Sequence, residues 1–427
     1  MDIAEKYIGH VQKGLEKNRE KAWKEMVFGY NAFHFKTKYF PKKYIAEGYA
    51  SLEEMMMRVV SKSLKNRESY VWTSIYVPSE IIGAAGITPL SMEVLSAYMS
   101  HGYRLEKPLI DRAEAEGIAQ TLCSFHKAFL GACEMELIPA PRFCVSSSLA
   151  CDGNLSSMRH AAEIFNIPFY FLDVPQCDDP ISVEYLSNQL RQLAEQLEEH
   201  TGKPFSYEKL ENAVRISKET HQEMLKFYSF ARDHFYPGEL IHKMYMMMAS
   251  HMMMGTEEFL HLIQSMNQEI EKAPLFQGKK IMWIHVLPFY QNTLKDIFDC
   301  SSEYQLMVSD IAWDWPENLD ADDPFDFLAL RMINHAFNSS LDNKKRILDK
   351  IIERYEPDGV INFCHWGCKQ AFGGAAILKE YVKDKGIPYM NLDGDGIDER
   401  NSHDGQISTR LNAFLEMVQG EGQEEQQ

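Results

Sequence analysis

Long apolar runs are missing from this sequence, and no stretch approaches the ~20 apolar residues that a membrane span needs. Positive charge is scarce as well: 44 Lys and Arg face 62 Asp and Glu, leaving a net charge of −18. Such a surface repels phosphate backbones and anionic lipid, so neither nucleic acid nor a membrane is an expected partner. The charged, amphipathic opening MDIAEKYIGHVQKGLEKNREKAWKEM lacks the apolar core of a secretory signal, and a cytoplasmic location is expected. Cysteine is sparse, eight in 427 residues. In a reducing compartment these do not make a disulfide framework, and each thiol is a core residue, a nucleophile or a metal ligand. Also absent are a Walker-type phosphate loop and a three-glycine fingerprint after a strand. Gly83-Ala-Ala-Gly86 and Gly373-Gly374 match neither, which argues against ATP, NAD or FAD held by this chain.

What is present is apolar material, 45% of residues, over a length suited to about two to three domains. Residues 1–69 read as an N-terminal helical region. YVWTSIYVP (70–78) reads as a strand, with an apolar helix opening at Ser79-Glu80. RFCVSSS (142–148) and IPFYFLDV (167–174) read as strands around a helix over 154–165. From 182 to 275 leucines at helical spacing and a Met-rich stretch predict a linking helical segment; flexible methionine filling a core explains the Met cluster without a soft metal. Strands at 280–286, 304–309, 359–363 and 387–392 then recur between helices, with a tail over 419–427 expected to be disordered. The predicted fold class is α/β: two doubly wound, mostly parallel-sheet domains, 70–181 and 276–418, joined by the helical segment.

In doubly wound sheets ligands sit beyond the carboxyl ends of the strands, and this sorts the cysteines. Cys151 and Cys177 follow strands of the first domain, and Cys364 and Cys368 follow the strand over 359–363. Cys123 opens a helix running to about Glu134, where the helix dipole favours thiolate. Cys133, ~15 Å further along that helix, points elsewhere, and Cys144 and Cys300 read as buried thiols. The five remaining thiols come from both domains. Dispersed thiolates meeting at a cleft suit an iron-sulfur cluster better than structural zinc, whose ligands come in short-spaced pairs.

Several ordered motifs now add up. SEIIGAAGITPL (79–90), Cys123-Ser, Cys151-Asp-Gly, HWGCKQ (365–370), LDGDGID (392–398) and TRLNAFLE (409–416) resemble the 2-hydroxyacyl-CoA dehydratase component D family over residues 70 to 418. That family spans dehydratase subunits, benzoyl-CoA reductase relatives and double-cubane cluster proteins. The resemblance implies a 4Fe-4S cluster on Cys123, Cys151 and Cys368, with one iron open, and a lyase (hydro-lyase) working under anaerobic conditions. It also implies radical, syn-type loss of water from a 2-hydroxyacyl-CoA through a ketyl anion. Implied partners are the acyl-CoA thioester, a homologous subunit in a heterodimer or a second copy in a homodimer, and an ATP-dependent iron-sulfur activator. The alternative within the resemblance is an ATP-dependent reductase component with an 8Fe-9S double-cubane cluster, for which Cys177 and Cys364 are further metal-ligand candidates.

Around those thiols His365 is a candidate to donate to the substrate oxygen or carry the β-proton, and Ser74 and Glu93 to bond the hydroxyl or thioester. DGDGID (393–398) resembles the start of a calcium loop. Yet Asp404 stands where the twelfth-position Glu belongs and a strand replaces the leading helix, so these carboxylates read as caps of the helix that runs to Glu416.

Overall fold

The computed structural model describes residues 3–15, 17–308, 310–338 and 340–424. Two four-stranded, all-parallel sheets form its frame. The first contains β1 (Tyr70–Thr73), β2 (Thr88–Ser91), β3 (Cys144–Ser147) and β4 (Phe169–Leu172) in the order β2-β1-β3-β4. The second contains β5 (Lys279–Ile284), β6 (Tyr304–Val308), β7 (Gly359–His365) and β8 (Tyr389–Gly394) in the order β6-β5-β7-β8. The α/β expectation is met twice with one strand order. In each sheet the chain steps from the first strand to one side and then returns to the other, which opens a crevice at the carboxyl ends of the two central strands. Those pairs are β1 with β3, where Trp72 faces Cys144, and β5 with β7, where Ile284 faces Asn362.

Helices Ile3–Leu15, Arg19–Tyr39 and Glu47–Ser63 precede the first sheet; Pro180–Thr201, Tyr207–Asp233, Leu240–Met252 and Glu257–Ile270 separate the two. Met244, Met246, Met247 and Met248 are buried on the third of these separating helices, as core filling predicts. Among the described residues no helix is long and apolar enough to cross a membrane.

Three local expectations need correction. Strand β2 was not foreseen, because the apolar residues after Ser79 suggest one continuous helix. The helix Ser79–Ala84 instead ends early, Gly86 turns the chain at φ +76, and Thr-Pro-Leu-Ser pairs with β1 at the sheet edge, where a proline is tolerated. The strand expected over 70–78 stops at Thr73: the Val77 N–H donates to Ser74 O in a turn that carries Tyr76 into the crevice. The last helix, Asp404–Glu424, reaches into the stretch expected to be disordered, whereas 425–427, like the predicted strand end at Ser309, lie outside the described residues.

The two sheets are tied by polar contacts, one buried and one nearer the surface. Arg331 makes a two-pronged ion pair with Glu80, whose carboxylate also accepts from Ser217 Oγ. Glu80 is 1% exposed, and burial there would raise its pKa, but the Arg331 guanidinium together with the Ser217 hydroxyl and a backbone N–H outweighs it and holds the carboxyl below its usual range. Arg400 joins Asp398 to Asp111 and Glu114 on the helix Glu106–Ala115.

Candidate functional site

Cys123, Cys151 and Cys368 share one local position. Each is the N-cap residue of a helix, preceding Ser124–Glu134, Asp152–Phe165 and Lys369–Phe372 respectively. Free N–H groups at helix starts favour negative charge. The backbone of Phe125 does so for Cys123, that of Asn154 and Gly153 for Cys151, and that of Ala371 and Gln370 for Cys368. All three cysteines line one cavity of about 560 Å3 between the two sheets. Burial pushes each thiol up, Cys151 to about 12; the Cys368 and Cys151 charges raise Cys123 further, and Cys368 does the same to Cys151. As thiolates the three would repel one another in a poorly hydrated space, an arrangement that calls for bound cations.

Two histidines face the sulfurs. His365, the last residue of β7, has Nε2 3.2 Å from Cys123 Sγ, while its Nδ1 accepts from the Gly396 N–H at 3.0 Å. Since Nδ1 is an acceptor, the ring proton of the neutral imidazole sits on Nε2 and points at the sulfur. Burial lowers the pKa of His365. His285, one residue past β5, has Nε2 3.4 Å from Cys368 Sγ. Its backbone is left-handed at φ +74, an uncommon conformation for a side chain of this size. The Asp310 carboxylate stabilises it by accepting the His285 N–H at 2.7 Å, and Lys344 Nζ lies 2.8 Å from the other Asp310 oxygen.

The loops that carry these groups meet backbone to backbone. Gly367, at φ +81, lies between His365 and Cys368, and a Cβ there would stand 2.8 Å from the Cys123 nitrogen. Only glycine allows that approach. Gln370 Nε2 donates to Ala150 O at 2.8 Å, joining the loop of Cys368 to that of Cys151. Asp395 is fully buried and accepts from Ser124 Oγ and from the N–H groups of Ile397 and Asp398. Asp398 accepts from the Arg400 N–H and caps the 3-10 turn Glu399–Asn401. The acidic motif therefore caps that turn and pins it to the Cys123 helix; it does not cap the helix Asp404–Glu424.

Of the other sequence candidates, Glu93 lines the cavity. Burial raises its carboxyl above the usual range, against the Ser91 hydroxyl, which donates to it at 2.6 Å. Ser74 is buried outside the cavity lining, its Oγ accepting the Ser147 N–H at 3.3 Å. Cys177 is exposed and Cys364 is buried beside the Asn362 side chain; neither lines the cavity. Sequence reasoning missed His285, Tyr76 and His126, which all line it. His285 was legible in one respect, as a histidine at a strand end on a topological switch point, but it was read as part of its strand.

Fold and site together define a two-lobed α/β protein with thiols from both lobes at the seam between parallel sheets. Residues 74–418 match the family described as 2-hydroxyglutaryl-CoA dehydratase, D-component, and the chain belongs to that family. Among its relatives is the (R)-phenyllactyl-CoA dehydratase alpha subunit of Clostridium sporogenes, 23% identical over 383 residues, which are 82% of this chain and 90% of that one. The lactoyl-CoA dehydratase subunit alpha of Anaerotignum propionicum is 23% identical over 82% of this chain and 91% of its own. The Clostridium sporogenes (R)-phenyllactyl-CoA dehydratase beta subunit is 25% identical over 81% of this chain and 90% of its own. These relatives are subunits of hydro-lyases.

Proposed function

We propose that this chain is a subunit of a 2-hydroxyacyl-CoA dehydratase in which Cys123, Cys151 and Cys368 hold one 4Fe-4S cluster. The observation that carries this reading is the convergence of three helix-capping thiols, drawn from both lobes, on a single cavity. The donor set fits the group. Three thiols from two lobes line one cavity, each at a helix start whose free N–H groups favour thiolate, as a cluster that takes one thiolate per iron requires. When bound, the cluster would supply low-potential electron transfer and, at the iron left without a protein thiolate, a Lewis acid for the thioester oxygen.

The chain's own residues do the rest. Nε2–H of His365 and Nε2 of His285 fix the electrostatics at Cys123 and Cys368, hydrogen bonds to cluster sulfurs being a main control of potential. Glu93, whose carboxyl burial pushes above its usual range, lines the cavity and is placed to bond the substrate hydroxyl; it takes this part rather than Ser74, which lies outside the cavity lining. The buried walls exclude water from the acyl thioester. A homologous subunit completes the enzyme, a reading supported by matches to both alpha and beta subunits. Electrons come from a separate ATP-dependent iron-sulfur activator. A double-cubane 8Fe-9S cluster is disfavoured, because it needs more thiolates than the three that line the cavity.

Anaerobic purification with iron and sulfide assay tests this. About four irons per chain are expected. Zinc, no metal, or twice that iron would overturn it.

A further inference from the structure

Met248, on the helix Leu240–Met252, lines the thiol cavity on one side and a second cavity of about 240 Å3 on the other. The helix Met92–Tyr103 runs past both, with Val94 at the first and Ala97 and Tyr98 at the second; the segment after β5 likewise gives His285 to the first and Phe289 to the second. The two spaces are neighbours divided by a methionine, whose unbranched side chain moves aside at small cost.

The second cavity is largely apolar and aromatic, walled by Tyr30, Phe33, Met57, Tyr98, Tyr245 and Phe289; among the described residues no Lys, Arg, Asp or Glu lines it, and burial lowers the pKa of the lining His101 to about 4, which leaves it uncharged. The hydroxyl of Tyr30 is spent on Tyr98 O at 2.9 Å, and that of Tyr245 is turned to Met57 Sδ at 3.7 Å, so these residues are held by their polar ends and offer rings. Its volume exceeds the ~150 Å3 that suffices to hold benzene. Tyr30, Phe33 and Met57 belong to helices that precede residue 74, where the family match begins.

We propose that this second cavity receives the acyl side chain of the substrate and selects a bulky uncharged one, aromatic or branched aliphatic. A one-carbon side chain would leave it empty, and a carboxylate-bearing chain would place a charge among tyrosine and phenylalanine rings with no cation to meet it. Each added methylene that becomes buried there raises affinity about fourfold. The inference rests on the dehydratase reading, so its test avoids turnover.

Saturated thioesters that cannot lose water are titrated calorimetrically into the anaerobically purified protein: propionyl-CoA, glutaryl-CoA, 4-methylpentanoyl-CoA and 3-phenylpropionyl-CoA, with free CoA as reference. The last two thioesters are expected to bind at least tenfold more tightly than the first two. Phe33→Asp, at a position 40% exposed and so tolerant of a charge, narrows that ratio to below threefold. Equal affinity for all four, a preference for glutaryl-CoA, or a preference untouched by Phe33→Asp overturns the assignment of this cavity and leaves the dehydratase reading standing. If none of the thioesters binds more tightly than free CoA, both fail.

Discussion

Strands β1 and β3 of the first sheet and β5 and β7 of the second hold equivalent places, yet their carboxyl ends carry different chemistry. Beyond β1 and β3 stand Tyr76 and Cys151; beyond β5 and β7 stand His285 and Cys368, with His365 closing β7. The first lobe supplies two of the three cavity thiols, and the second supplies one thiol and both histidines that face sulfur. Their loops also differ in how firmly they are held. In the second sheet the Asp310–Lys344 pair fixes His285 in a left-handed backbone, whereas the Tyr76 turn is closed by the backbone bond from Val77 to Ser74 and its side chain packs edge-on to His335 and His251, with ring centres 4.5 and 5.0 Å away. The lesson is that a shared strand order fixes where a site can form, while the residues at the helix caps and strand ends decide what it does.

If both lobes are required, removing one thiol from either side should be equivalent. Cys368→Ala and Cys151→Ala are each expected to abolish iron retention in anaerobic metal assays, whereas Cys364→Ala and Cys177→Ala retain it. An effect confined to one lobe's cysteine breaks the comparison. Next in size is the link between lobes: Glu80→Ala leaves Arg331 buried and unpaired and should lower stability by about 3–5 kcal/mol, read from the denaturant midpoint. Gly367→Ala strains a left-handed residue against the Cys123 backbone. A cost of about 2 kcal/mol is expected, together with faster loss of iron to a chelator; Gly386→Ala, likewise left-handed (φ +77) but with open space around its Cβ, should cost less and leave iron untouched.

The smallest expected effect is on pH dependence at the same seam. Burial raises the Glu106 carboxyl to about 7, with Glu399 and Asp398 across the seam adding repulsion. A carboxyl whose folded pKa lies above its unfolded one binds its proton more tightly in the native state, so stability falls as pH rises from about 4.5 towards 7. Glu106→Gln should flatten that slope in thermal melts across the interval; an unchanged slope assigns the dependence to other groups.

Much of this was written locally. Alternating strands and helices announced two parallel sheets, and Cys123, Cys151 and Cys368 stood at strand ends or a helix start where dipoles and switch points gather ligands. Strand β2 was hidden because four residues containing Pro89 carry too little periodicity to read against an apolar helix. Cys364 looked as well placed as Cys368, but it lies within β7, buried beside Asn362, one pleat too early to reach the cavity.

The sequence by itself determined the class of fold, the acidic net charge, and a short set of thiols, because composition, periodicity and strand-end position are properties of the residues themselves and their neighbours. Only the tertiary structure decided which thiols share a cavity, that His285 joins His365 against them, and that Met248 divides that cavity from an aromatic one. Those outcomes depend on distances between segments far apart in the chain, such as the 242-residue separation of Cys123 and His365 and the 83-residue separation of His285 and Cys368, which no local pattern encodes.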